Sequence, residues 1–360
     1  MGKFPAQGLA RAGSVDKSCP RLAQHPATGR IATVNTRPLG NTGRSVSEIG
    51  LGTWQLGSGW GEVTDAEAGE TLRAAYDSGV TFFDTADVYG NGRSESLIGA
   101  FLRDTPGARE RIFVATKLGR REWPHGFTRE HVRRFTDDSL RRLGLDALDL
   151  TQLHCVPTEV LKRGELFGWL EELKTEGKLL AYGASVESME EATFCVRHGG
   201  VAALQIIFNI FRQKPITTLF AEAQAARVGL IVRLPLASGL LAGKLTKQTA
   251  FAIGDHRVFN RDGQCFNVGE TFAGLPFEKG VELADALKAQ VPAGVGMAAW
   301  ALRWCLDFPA VTTVIPGARN AAQACANVLA ATLPPLGTET HAGLARFYAE
   351  EVAAHIRGPY

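Results

Sequence analysis

Three features of this 360-residue chain predict an α/β protein, built as a closed (β/α)8 TIM barrel. Short apolar runs recur eight times from residue 47 onward, each apolar enough to be covered on both faces as a parallel strand is. Amphipathic stretches of helical period lie between them. No G-x-G-x-x-G follows any run, least of all the first, which disfavours a doubly wound dinucleotide-binding sheet.

In chain order the strands are "SEIGLGTW" (47–54), "TFFDTA" (81–86), "IFVATKL" (112–118), "LDLTQLH" (148–154), "LAYGAS" (180–185), "ALQIIFN" (203–209), "LIVRLPL" (230–236) and "VTTVIPG" (311–317). Stretches such as "DAEAGETLRAAYDSG" and "GELFGWLEELKTEGK" repeat apolar residues at three- and four-residue steps and read as the intervening helices. Gly79, Gly144, Gly177 and Gly229 fit left-handed caps at helix ends. Two stretches break the rhythm. Residues 237–276, a long loop after strand 7 rich in Gly, Asn, Asp and Phe, have the length of a lid or binding loop. "HAGLARFYAEEVAAHIR" (341–357) reads as an added C-terminal helix on the barrel's outside or rim.

Residues 36–360 are therefore expected to form a single barrel catalytic domain, preceded by a disordered extension over 1–35. That head carries Lys3, Arg11, Lys17, Arg21 and Arg30 against Asp16 alone, and it lacks the apolar core of a secretory signal. Few serines and no amphipathic helix make a transit peptide a weaker reading, and "VNTRPLGNTG" from Val34 also reads as a natural start. A formal net charge of +2 argues against a nucleic-acid or anionic-membrane surface. No apolar run reaches the length of a membrane span. The six cysteines are scattered, with no Cys-x-x-Cys and no metal-type spacing, so free thiols in a cytoplasmic setting and no bound metal are expected.

Catalytic groups in such a barrel sit at the carboxyl ends of strands and in the loops that follow. Asp84 ends the second strand, Tyr89 lies in its loop, Lys117 ends the third and His154 the fourth. Taken singly, each has an ordinary reading: a capping Asp, a solvated Lys, a structural His. Tyr76, Tyr182 and Tyr348 fall in elements where packing explains them, whereas Tyr89 occupies a polar loop at the catalytic face. As a set the four suit one chemistry. A phenol is a weak acid near neutrality, and an adjacent ammonium favours its phenolate. Lys117 can supply that charge, Asp84 can hold Lys117, and a ring N–H of His154 can polarise a carbonyl. None of the four carries hydride, so a nicotinamide cofactor is required. Anion sites for it are readable after strands 7 and 8. "PLASGLLAGK" (235–244) offers Ser238, Gly239 and Lys244, and Arg319 opens the helix in "IPGARNAAQACANVLA" (315–330).

"FFDTADVYG", "ATKLG", "LDLTQLHCVP", "YGASVES", "RLPLASGLLAGK" and "VIPGARNAAQACAN" together resemble the aldo-keto reductase superfamily, and within it the bacterial reductases, over roughly residues 36–332. The resemblance implies NADPH/NADP+ as cofactor, with NADH the lesser alternative, bound extended and without a Rossmann fold. It implies Asp84, Tyr89, Lys117 and His154 as the catalytic four, with Tyr89 as the acid–base group. For the cofactor it implies Thr53, Trp54 and Asp84 beside the reacting ring, and Ser185 and Gln205 at the carboxamide. Leu236, Ser238, Gly239 and Lys244 then fall by the pyrophosphate, and Gly317, Arg319, Gln323 and Asn327 by the adenosine 2′-phosphate and adenine. Departures from the family pattern are Val186 where an Asn is common, Ala326 where an acid is common, and Arg233 where an aromatic ring often stacks on the nicotinamide. Trp54, Trp60, Tyr89, Trp123, His154 and Cys155 are the expected walls of the substrate pocket.

The expected function is NADPH-dependent reduction of a small aldehyde or ketone, with Tyr89 as general acid. The alternative is a nicotinamide-binding regulatory or sensor protein on the same fold with little turnover. A metal-dependent hydrolase is disfavoured because no strand offers a His-x-His pair.

Overall fold

Period-two alternation decides which side chains of each strand reach the barrel interior. The computed structural model describes residues 34–57, 60–198 and 200–360. The expected extension over 1–35 thus falls almost wholly outside the described residues. An antiparallel hairpin, Thr36–Pro38 with Ser45–Ser47, comes first. The barrel strands follow: β1 (Leu51–Gly52), β2 (Phe82–Asp84), β3 (Phe113–Leu118), β4 (Leu150–His154), β5 (Tyr182–Ser185), β6 (Ala203–Ile207), β7 (Gly229–Arg233) and β8 (Val311–Val314). They pair in chain order, all parallel. Bridges Ile49–Val314 and Gly52–Gly317 join the first strand to the last and close the ring. The (β/α)8 expectation holds.

Two apolar layers result. Phe82, Phe113, Leu150, Ala203 and Ile231 point inward and meet Leu39 and Val46 of the hairpin, which plugs the end of the barrel away from the strand C-termini. Their chain neighbours Phe83, Val114, Leu204 and Leu230, and Leu153 three residues beyond Leu150, point outward into the core shared with the helices. The helix after β1, Asp65–Asp77, starts at a reciprocal cap between Thr64 and Glu67. The helix after β4, Glu165–Thr175, buries Leu166, Phe167, Leu170 and Leu173.

Several sequence expectations need correction. The first strand shrinks from 47–54 to two residues, because Ser47 belongs to the hairpin, Ile49 pairs only through an isolated bridge and Trp54 starts a helical turn. Gly229 is not a helix cap: the preceding helix, Phe220–Ala225, ends at Ala226, and Arg227 takes the positive φ of 54°. Gly229 instead opens β7, where a Cβ would lie 2.8 Å from the amide nitrogen of Gly40 in the hairpin plug. The C-terminal helix begins earlier than expected, at Thr338, and its regular α turns end at Phe347 before a wider turn over Tyr348–Val352. Cys155, Cys195, Cys265 and Cys305 carry free thiols, whereas Cys325 is disulfide-bonded, contrary to the free-thiol reading. Among the described residues no helix is long and apolar enough to cross a membrane.

Candidate active site

The inward parity that starts with Phe82, Phe113, Leu150, Ala181 and Ala203 delivers a polar layer two to four residues later. Asp84, Lys117, Gln152, His154, Ser185 and Gln205 all reach the interior at the strands' carboxyl ends, each at most 3% exposed. Register then places them side by side: Lys117 opposite Gln152, His154 opposite Ser185, Ser185 opposite Gln205.

Lys117 Nζ donates to Asp84 Oδ2 at 2.6 Å, to the Thr85 carbonyl at 2.7 Å and to the Tyr89 hydroxyl at 3.3 Å. Asp84 Oδ1 in turn accepts from Gln205 Nε2 at 2.7 Å and Gln152 Nε2 at 3.4 Å. Burial alone would depress the Lys117 pKa, but Asp84 and Tyr89 more than offset it and raise the value. The amine is therefore a fixed buried cation. Tyr89 reaches it from a turn that sits directly on the loop after β1. A Cβ at Gly57 would lie 2.5 Å from the Tyr89 carbonyl carbon, and one at Gly90 would lie 2.6 Å from the Gly57 carbonyl oxygen. Only glycines permit that approach. Burial raises the Tyr89 pKa and the Lys117 charge opposes the rise, so the phenol keeps its proton near neutrality.

His154 stands edge-on to Tyr89, with ring centroids 6.0 Å apart. Burial and then the charges of Arg120 and Lys117 hold its pKa well below the usual value, so the imidazole is neutral. Arg120 Nη1 lies 3.5 Å from His154 Nε2. The other ring nitrogen, Nδ1, is buried with no hydrogen-bond partner within the protein.

Beyond His154 lies a charged group of which the sequence marked only Arg233, expected there against the cofactor. Arg120 Nη1 donates to Glu270 Oε1 at 2.9 Å and contacts Cys155 Sγ at 3.4 Å. Arg233 Nη1 is 3.4 Å from the same Glu270 oxygen, and its Nη2 donates to the Val186 carbonyl at 3.2 Å. Burial would raise the Glu270 pKa, but Arg120 and Arg233 outweigh it and hold the carboxyl far below the usual range. Glu187 faces Glu270, and burial and that neighbour push its carboxyl up to about 8. Cys155, Glu187 and Glu270 have metal-ligand spacing, within 4.8 Å of one another, but the two guanidiniums already supply the positive charge there. Burial pushes the Cys155 thiol up, so it stays protonated beside the two guanidiniums.

Asp84, Tyr89, His154, Gln205 and the Arg120, Arg233, Glu187 and Glu270 group open on one cavity of about 1410 Å³, larger than a small-substrate site requires (roughly 300–1,000 Å³). The expected walls Trp54, Trp60, Tyr89, Trp123, His154 and Cys155 all line it. Trp54 stacks near Tyr89 at 6.1 Å, and Trp54 and Trp60 pack on His256 at 4.8 and 4.3 Å. His256 and Phe266 belong to the long segment after β7, which folds over the barrel mouth as a covering loop. Gly317, Arg319, Gln323 and Asn327 line the same cavity, as do Leu236, Gly239 and Lys244, and a Cβ at Gly61, beside Trp60, would lie 3.1 Å from the Arg319 guanidinium. The residues present fit an extended dinucleotide. The Ser185 hydroxyl is buried without a partner beside Gln205, and Arg319 is exposed at the opening of the helix Ala321–Val328. Gln323 accepts from the Arg319 amide at 2.8 Å, and Asn327 donates to the Gly317 carbonyl at 3.2 Å.

Two expected cofactor residues are otherwise engaged. Ser238 is 3% exposed, and its hydroxyl accepts from the Phe272 amide at 3.1 Å, tying down the covering loop. Arg233 is held on Glu270 and Val186 rather than lying unattached as a stacking plate. Thr53 bonds the Asp84 carbonyl at 2.8 Å, which fixes the strand end behind the cluster.

The chain matches the aldo/keto reductase family over residues 48–349, and it belongs to that family. Its relatives include the aldo-keto reductase YhdN of Bacillus subtilis (strain 168), 30% identical over 293 residues, which cover 79% of this chain and 85% of that protein. The L-galactose dehydrogenase of Arabidopsis thaliana is 33% identical over 217 residues, 59% of this chain and 68% of that protein. Among solved structures, the glycerol dehydrogenase AKR11B4 from Gluconobacter oxydans superposes with a TM-score of 0.73 at 27% identity, covering 90% of this chain and 98% of that one.

Proposed function

We propose that this protein is an NADPH-dependent reductase of small aldehydes or ketones, in which Tyr89 is the general acid. The observation that carries the reading is the contact of the Tyr89 hydroxyl with the Lys117 ammonium at 3.3 Å, beside a neutral His154. A substrate carbonyl oxygen meets the Tyr89 O–H and the ring N–H of His154 together. A nicotinamide held beside Gln205 and Ser185 would supply the hydride for the carbonyl carbon. As negative charge gathers on the oxygen, Tyr89 releases its proton, and Lys117 stabilises the phenolate left behind. Asp84 keeps the ammonium charged and aimed. In reverse, the phenolate takes the proton of an alcohol, a direction consistent with relatives named as dehydrogenases.

NADPH is preferred because Arg319 stands exposed at the adenosine end, where a guanidinium pairs with a phosphate in two-point fashion. Ser185, with its unpartnered hydroxyl, suits the nicotinamide carboxamide. Cofactor oxidation with a panel of aldehydes and ketones, run with NADPH and NADH, tests the reading. Turnover with NADPH supports it. Tight cofactor binding with no turnover of any carbonyl instead supports a regulatory, nicotinamide-sensing protein.

A further inference from the structure

We infer that Arg120, Arg233, Glu187 and Glu270 form a hydroxyl-reading subsite, which makes the substrate a polyhydroxylated carbonyl compound rather than a plain or an anionic one. The inference rests on the carbonyl-reductase reading and names the substrate class of that site. Its position comes from distance. Arg120 Nη1 is 3.5 Å from His154 Nε2, so the subsite begins one or two carbons from the reacting carbonyl. Its composition comes from the side chains that meet there. Two guanidiniums offer only donors and Glu270 only acceptors, and all three side chains are largely buried, at 16%, 11% and 5% exposure. Glu187 lines the same cavity from the loop after β5. Each hydroxyl of a vicinal pair both donates and accepts. It can therefore accept from a guanidinium and donate to a carboxylate without breaking the existing pairs. The subsite walls add apolar surface for the carbon skeleton: Phe266 lies against the Arg120 guanidinium at 5.0 Å, and Trp123 is 55% exposed at the mouth.

Rival occupants fit less well. A carboxylate-bearing substrate would have to displace Glu270 from both arginines, leaving a buried carboxylate unpaired. A hydrocarbon chain would cover four charged or polar groups and replace none of their water contacts. Glu187 keeps a proton to about pH 8, so near neutrality it adds a donor as well as an acceptor. Glu270 is carried on the loop covering the mouth, so the cover and the recognition of hydroxyls share one residue.

The test compares kcat/KM for glyceraldehyde, propanal and glyoxylate, which differ in hydroxyls and charge, in the wild type and in Glu187→Leu. The inference expects the wild type to favour glyceraldehyde over propanal by at least about tenfold, since a site built for hydroxyls discriminates against analogues lacking them. In Glu187→Leu that ratio is expected to fall about tenfold or more. Intrinsic differences in aldehyde reactivity cancel between the two proteins. Equal use of glyceraldehyde and propanal by the wild type, a ratio unchanged in a folded variant, or preference for glyoxylate would each overturn the subsite while leaving carbonyl reduction intact. No turnover of any of the three with either cofactor would remove the reductase reading itself, and the subsite with it.

Discussion

Lys117 Nζ and Asp84 Oδ2 lie 2.6 Å apart at the mouth of the barrel, with side chains 0% and 3% exposed. A pair so fully removed from water persists only when its remaining bonding capacity is met. Here Thr85 takes one further ammonium proton, while Gln205 and Gln152 satisfy the second carboxylate oxygen. The arrangement leaves the Tyr89 hydroxyl as the remaining contact of the ammonium, at 3.3 Å. Charge is thereby focused on one phenol.

Removing Asp84 tests how much of the fold leans on this pair. Asp84→Ala strands a buried ammonium and two glutamine amides, so a loss of about 3–5 kcal/mol of stability is expected. Urea unfolding at neutral pH measures it. A loss under about 1 kcal/mol would mean that water or a side-chain rearrangement already compensates the amine.

Arg319 should decide cofactor choice. Arg319→Ala is expected to weaken NADPH roughly tenfold or more while changing NADH little, because only the former carries the extra phosphate (a charged hydrogen bond contributes about 1.5–3 kcal/mol). Fluorescence titration of both cofactors checks this. Equal losses would move the phosphate site away from residue 319.

Asp87 gives a pH signature. It is fully buried, neither carboxylate oxygen has a well-formed hydrogen bond, and burial together with the Glu95 charge pushes its pKa up to about 7. Between the ordinary value of 3.8 and about 7 the folded protein therefore holds a proton that the unfolded chain releases. Stability linked to this group is full below that window and falls as pH rises through it. Asp87→Asn removes the dependence. The Tm of the variant relative to wild type should therefore improve from pH 4 to pH 8. A constant difference would show that Asp87 is ionised throughout.

The strand ends were legible because two signals coincide there: apolar alternation sets the parity, and reactive side chains interrupt it at Asp84, Lys117 and His154. Tyr89 stood out as a ring in a polar turn. Arg120, Glu187 and Glu270 carried no such mark. They belong to three separate loops, and Glu270 meets the others only when a loop some 150 residues after Arg120 folds back over the mouth. Gly229 misled because a glycine after a helix fits a cap as well as a strand start, and the deciding contact, with Gly40, is distant in sequence. Ser238 was placed by its loop, but its hydroxyl holds the cover.

The central claim is that the Tyr89 hydroxyl delivers the proton under the influence of Lys117, and Tyr89→Phe tests it most directly. The substitution keeps the ring and its packing against Trp54 and removes one oxygen. Turnover of a carbonyl substrate should fall by about 10²–10⁴-fold, with the dissociation constant of NADPH changed less than about threefold. Activity in the variant equal to wild type would show that the proton comes from elsewhere and would contradict the account.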